Sequence, residues 1–267
     1  MDIDRRLVLR RVVQAASAAA VVALPAAGGP RRVLASGDRA PAAPIAPALT
    51  SIRKLPAPPP IMPCTLWQTN PAPPEVQYDR AVRAVFIHHT ENGNTYRAQA
   101  VPDIIRAIQR DHRENRGWDD IGYNFLVDRF GTVYEGRRGG VDRPVVGAHT
   151  IGFNRETVGV AAIGTYSAGA QVPEPVVEAI ARLAAWKLAA DGTDPRAQCD
   201  LTSTSSESRF PVSTHHAFNA VSGHRDAFCT LCPGDALYAL IPRIIERAAQ
   251  LQLDAELRAP GPPTRFG

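Results

Sequence analysis

Three strong metal-ligating side chains stand in this 267-residue chain, one early and two late: His88, His224 and Cys232. A catalytic zinc ion takes three protein ligands from His, Cys and carboxylates and keeps a further position open for water. Two neutral imidazoles and one thiolate would leave such a site with a net positive charge, suited to polarising a carbonyl. His89 follows His88 directly, but successive strand residues face opposite sides, so only one of the two can face an ion. His224 and Cys232 lie close enough in sequence for one loop to close round a metal. Spacing alone leaves other readings open. The histidines can be satisfied core or surface residues, and Cys229-Thr-Leu-Cys232 can be a redox pair. It can also be half of a structural zinc knuckle, for which His215-His216 is the candidate second pair.

These residues need elements to hold them. Ala84 to Ile87 is a short apolar run of strand formers that ends at His88 and His89, which predicts a buried strand. Val101, Ile104, Ile105, Ile108 and His112 recur at helical spacing over 98–114, with Pro102 tolerated in a first turn. Tyr123–Val127 and Thr132–Tyr134 flank Arg129-Phe130-Gly131 as a hairpin. Val158–Ile163 reads as another buried strand, and Val176, Val177, Ile180, Leu183, Ala184 and Leu188 as an amphipathic helix. Ala220–Gly223 leads into the loop carrying His224, and Leu237, Leu240, Ile241, Ile244, Ile245 and Ala248 mark a last helix. This order predicts an α/β fold, a mixed sheet with helices packed on its faces.

A composition of 45% hydrophobic and 21% charged residues excludes both a multi-span membrane protein and a wholly disordered chain. The formal charge of +4 suggests an anionic partner until its position is examined. Residues 1–40 carry seven Arg against three Asp, so the rest of the chain is neutral. A nucleic-acid partner is therefore not expected. The paired Arg5-Arg6 and the Ala-rich run to Leu24 describe an export signal of the twin-arginine kind over residues 1–35. That run is too short and too rich in Ala for a stable membrane span. Residues 36–80 read as a Pro/Ala-rich linker, because 11 of the 24 prolines fall in 36–75. Trp67 interrupts this stretch and is a candidate to dock on the domain that follows. The folded domain is expected over 81–252 and a flexible tail over 253–267.

Five segments occur in order: Phe86-Ile-His-His-Thr90, Gly117-Trp-Asp-Asp-Ile-Gly-Tyr-Asn-Phe-Leu126, Gly131-Thr-Val-Tyr-Glu-Gly-Arg137, Gly147-Ala-His-Thr-Ile-Gly-Phe-Asn154, and Gly223-His-Arg-Asp226 with Thr230-Leu-Cys-Pro-Gly234. Together they resemble the peptidoglycan recognition proteins and the related zinc-dependent N-acetylmuramoyl-L-alanine amidases of phages and bacteria. The resemblance runs from Val82 to Ala248. It implies a central mixed sheet flanked by about three helices. It implies Zn2+ held by His88, His224 and Cys232, with Tyr123 as catalytic tyrosine. Thr230 stands where the phage-type enzymes have a catalytic Lys. His149 matches a residue lining the family's substrate groove, and Arg137 and Asn154, in the neighbouring segments, are taken with it as substrate contacts. The implied reaction is hydrolysis of the amide between N-acetylmuramic acid and L-alanine, by a secreted bacterial member acting as a monomer on peptidoglycan or muropeptides. It would work outside the membrane: extracellular, periplasmic or wall-associated. The alternative is a non-catalytic receptor module. Receptors of the family usually lose the Cys ligand, and Cys232 is kept here.

Some features stand apart from the pattern. Residues 193–219 form a polar excursion, expected as a solvated hairpin or loop with His215 and His216 on the surface. With Cys232 assigned to zinc, Cys64, Cys199 and Cys229 remain. A Cys199–Cys229 disulfide clamping the excursion is the preferred pairing, with Cys64 bridged to either as the alternative. Asp226, beside His224, is a candidate loop-fixing carboxylate or a simple turn residue.

Overall fold

The computed structural model describes residues 55–68 and 75–258. The expected export signal, the linker residues 36–54 and the tail residues 259–267 lie outside them. Six strands form the main sheet: β1 (Ile61–Met62), β2 (Ala84–His89), β3 (Phe125–Val127), β4 (Val133–Glu135), β5 (Thr157–Ala162) and β8 (Val221–Gly223). Their order is β1-β4-β3-β5-β2-β8. All neighbours run parallel except β3 and β4, the hairpin read from sequence. Strand β2, flanked by β5 and β8, is buried along its whole length, which is why its apolar residues are continuous rather than alternating.

Five α-helices accompany the sheet, against the expected three: α1 (Val101–Arg110), α2 (Glu174–Ala189), α3 (His224–Ala227), α4 (Asp235–Tyr238) and α5 (Ile241–Leu257). The three long ones are those with a sequence periodicity. The two four-residue helices α3 and α4 are too short to carry one. One face of the sheet, with Val85, Ile87 and Val160, packs on α2 and α5 through Ile180, Leu183, Ile244 and Ala248. Fully burying each large aliphatic side chain there contributes about 1.5–3 kcal/mol. The other face carries α1 at one end, with Ile105 and Ile108 against Leu126 and Tyr134. At its other end a separate two-stranded ribbon covers it, β6 (Gln198–Thr202) paired with β7 (His215–Asn219).

Three features differ from the sequence reading, two of them boundaries. First, residues 61–67 belong to the fold. β1 extends the sheet beside β4, and Trp67, 1% exposed, sends its indole N–H to the Glu135 carbonyl at 2.9 Å. A large aromatic with a satisfied polar handle outweighs the extended character of the prolines around it. Second, α5 runs to Leu257, so the first residues of the expected tail are helical. Third, the excursion is a half-buried hairpin. Cys199, Leu201 and Phe218 point inward onto Phe86 and Phe153 while alternate residues face solvent. The expected Cys199–Cys229 disulfide is not formed: Cys199 is buried under that aromatic cluster, Cys229 is exposed, and all four cysteines are unpaired. His215 is exposed, and His216 stacks on Phe210 with ring centroids 3.7 Å apart.

Candidate metal centre and groove

Strand register brings the ligand candidates together. β2 and β8 pair in parallel with Ile87 opposite Gly223. His88 and His224 therefore leave their strands side by side, with ring centroids 4.5 Å apart. Cys232 returns after one loop, its Sγ 3.7 Å from His88 Nδ1 and accepting the His89 backbone N–H at 3.4 Å. One ligand atom from each of His88, His224 and Cys232 lies within 4.8 Å of the others. His89 faces the opposite side, as strand alternation requires, and its Nδ1 accepts the Tyr166 backbone N–H at 3.3 Å.

The loop is held from below. Tyr238 donates its hydroxyl to Asp226 Oδ1 at 2.7 Å, and Asp226 Oδ2 accepts the Gly223 N–H at 2.8 Å. The Arg225 backbone N–H donates to the Cys232 carbonyl at 3.0 Å. The Arg225 guanidinium ties Asp235 at 2.7 Å and the Leu231 carbonyl. Gly234 adopts φ +86°, and a Cβ there would stand 2.2 Å from the Tyr166 carbonyl oxygen, so only glycine lets the chain turn here.

The donor set fits a zinc ion. Burial holds His224 down to about 4 and His88 well below the usual imidazole range, so both rings are neutral, as ligands must be. His224 Nε2 is buried and has no hydrogen-bond partner among the described residues. Burial pushes the Cys232 thiol up to about 12, a cost that a bound cation reverses. Behind His88 runs a chain of acceptors. His88 Nε2 meets His149 Nδ1 at 3.2 Å, His149 Nε2 meets Thr157 Oγ1 at 3.3 Å, and Thr157 donates to the Phe153 carbonyl at 2.7 Å. Read backwards from that carbonyl, each ring donates from Nε2, which leaves the Nδ1 lone pair of His88 facing Cys232.

His149 is therefore not an open groove residue: it is 6% exposed and lies beneath His88. Its ring occupies space that Gly159 leaves free, since a Cβ on Gly159 would stand 2.3 Å from His149 Cγ. Asn154 also turns inward, its Oδ1 accepting the backbone N–H groups of His149 and Thr150, each at 2.8 Å. Arg137 is committed to Asp119 at 2.8 Å and to the Ile121 carbonyl at 3.1 Å. All three thus serve the protein's own polar groups, whose partners sequence spacing does not show.

Tyr123 stands beside His88, with ring centroids 5.3 Å apart, and burial raises its phenol above the ordinary value. Thr230 Oγ1 accepts the Cys232 N–H at 3.2 Å. Next to Tyr123 opens a cavity of about 240 Å³, lined by His89, Glu91, Asn92, Asp111, His112 and Arg116 among others. Most of these, and Tyr238, escaped the sequence reading. Two carried a signal: His89, in the paired histidines at the strand end, and His112, on the apolar stripe of the first helix.

The sequence profile of the family described as N-acetylmuramoyl-L-alanine amidase matches residues 78–235. Peptidoglycan-recognition protein LE of Drosophila melanogaster is 37% identical over 107 residues, 40% of this chain and 30% of that protein. The human N-acetylmuramoyl-L-alanine amidase is 36% identical over 137 residues, 51% of this chain and 19% of that protein. This chain thus spans less than a third of the length of either relative. Among solved structures, peptidoglycan recognition protein-LE in complex with tracheal cytotoxin, a monomeric diaminopimelic acid-type peptidoglycan, superposes with a TM-score of 0.54 at 28% identity. That match covers 68% of this chain and 92% of the other. Among the described residues no helix is long and apolar enough to cross a membrane.

Proposed function

From the premise that the chain belongs to the N-acetylmuramoyl-L-alanine amidase family, we propose that it hydrolyses the amide between N-acetylmuramic acid and L-alanine in peptidoglycan. The observation that carries this reading is the donor set His88, His224 and Cys232, with the buried Nε2 of His224 lacking any other partner among the described residues. When bound there, zinc supplies a Lewis acid that polarises a carbonyl and acidifies water.

The chain's own residues have distinct tasks in this reading. His149 fixes the tautomer of His88 through the 3.2 Å contact. Tyr123, kept protonated by burial, offers its O–H to the oxygen that gains charge as the carbonyl is attacked. Thr230 already accepts the Cys232 amide, so its own O–H remains to donate toward the same oxygen. Asn154 and Arg137 act as supports of the groove wall. The exported compartment inferred for residues 1–35 would bring the domain to its substrate.

The test is hydrolysis of defined muropeptides by the full-length protein. Release of peptide from muramic acid is expected with zinc, lost on chelation and restored by zinc. Cys232→Ser should lose zinc and hydrolysis while still binding muropeptide. Chelator-insensitive release, or normal hydrolysis by Cys232→Ser, overturns the reading. Muropeptide binding without hydrolysis by the zinc-loaded protein assigns the chain a recognition role instead.

A further inference from the structure

The cavity beside Tyr123 holds an unbalanced negative charge. Of its charged residues, Asp111 is matched by Arg116 Nε at 3.2 Å and by Asn115 Nδ2 at 2.8 Å. His112 is neutral, because burial and the Arg116 guanidinium hold it down to about 4. That leaves Glu91. Its carboxylate is 77% exposed, and its one ion-pair contact is with His89 Nε2 at 3.5 Å. Among the described residues no lysine or arginine pairs with it.

Glu91 is also held in place at a cost. Its φ is +61°, in the left-handed region that a residue with a Cβ adopts only where its surroundings impose it. The imposition is visible: the Glu91 N–H donates to the Gly164 carbonyl at 2.9 Å, and Thr90 Oγ1 accepts the Gly164 N–H at 3.0 Å. Beside it, Asn92 lines the same cavity, its Oδ1 sealed from solvent. One accessible carboxylate without a lysine or arginine partner thus stands next to an apolar wall made by Ala107 and Ile108. An alkyl ammonium matches this arrangement: three N–H donors and one positive charge on a methylene stem.

We propose that this cavity is a subsite for a cationic amine, and that Glu91 is the residue that selects it. The inference rests on the amidase reading and sharpens it. Among stem peptides, those whose diamino acid keeps a free side-chain ammonium are favoured over those in which acylation, as in a cross-link, has turned the ammonium into a neutral amide. No covalent step is added. Glu91 acts on binding and leaves the chemistry at the metal centre unchanged.

The test uses the full-length protein and two probes, N-acetylmuramoyl-L-Ala-γ-D-Glu-L-Lys and the same compound acetylated on the Lys side chain. Binding is titrated in the presence of chelator, where no cleavage is expected, and kcat and KM are measured with zinc. Wild type is expected to bind the free-amine probe about 2–5-fold more tightly, the scale of one solvent-screened charge pair. Glu91→Gln should abolish that preference and raise KM for the free-amine probe, with kcat and the thermal melting profile unchanged. Equal binding of the two probes by wild type, or a preference that persists in Glu91→Gln, overturns the proposal. If neither probe is cleaved yet the preference is present and Glu91-dependent, the amidase reading fails and the subsite stands.

Discussion

Tyr238 donates its hydroxyl to Asp226 at 2.7 Å, and this one bond braces both chain segments that carry His224 and Cys232. Asp226 in turn accepts the N–H of Gly223, the residue before His224. The Tyr238 ring fills the space a Cβ on Gly223 would enter, 2.8 Å from it, and lies under the Arg225 guanidinium that ties the Leu231 carbonyl. Tyr238→Phe keeps the ring and removes only the hydroxyl. Zinc affinity, measured by competition with a chromophoric chelator, should fall about 10–100-fold, as for other residues that orient ligands from behind. The loss of global stability should be about 1 kcal/mol. Unchanged zinc affinity would show that the loop holds its shape without the bond.

His149 makes a second brace, and Gly159 is the means of testing it without deleting the ring. A Cβ on Gly159 would stand 2.3 Å from His149 Cγ, while the site lies mid-strand in β5 and has no positive φ. Gly159→Ala therefore leaves strand pairing possible and pushes the imidazole off Nε2 of His88. Overpacking of this kind costs about 1–3 kcal/mol. Zinc affinity should fall together with stability, and the Co2+-substituted protein should show an altered visible spectrum. A normal spectrum in the variant would mean that His149 does not set the orientation of His88.

The long elements were legible because their periodicities are strong: β2, α2 and α5 fall where their apolar residues place them. His88, His224 and Cys232 carry a family pattern, and the parallel register of β2 with β8 explains how residues so distant in sequence meet. What spacing could not show is which polar groups are already spoken for. Arg137 and Asn154 look like free ligands in a sequence, yet each is turned to a protein partner. The cysteines are likewise unpaired in the fold. An exported chain favours disulfides, but the inward face of β6 places Cys199 under Phe153 and Phe218. Trp67 hides in a Pro-rich segment whose local preference is extended, and only tertiary contact reveals its burial.

Trp67 tests where the domain begins. It is 1% exposed, bonded to the Glu135 carbonyl at 2.9 Å, and its own carbonyl accepts Arg106 Nη1 at 3.0 Å. Trp67→Ala should lower the unfolding free energy by about 3–5 kcal/mol, the range for large aromatic truncations in a core. Urea denaturation of the full-length protein measures it. A loss of less than about 1 kcal/mol, within the range of surface substitutions, would mean that residues 61–67 rest on the domain without supporting it.

Acid sensitivity follows from His112. Its Nδ1 accepts the Gly122 N–H at 3.0 Å, next to Tyr123, and its ring packs on Tyr123 with centroids 5.4 Å apart. Burial first, and then the Arg116 guanidinium, lowers its pKa from 6.5 to about 4 in the folded protein. Between these two values the unfolded chain binds more protons than the folded one, so stability rises with pH. The contribution is whole above pH 6.5 and is lost as pH falls toward about 4. His112→Asn offers an amide oxygen to Gly122 and does not titrate. The stability difference between wild type and His112→Asn, followed by urea denaturation, should therefore be constant above pH 6.5 and shift against wild type down to pH 4. The other buried histidines titrate in both proteins and cancel in that difference. A difference that stays flat across the whole range would mean that His112 is not held neutral by the fold.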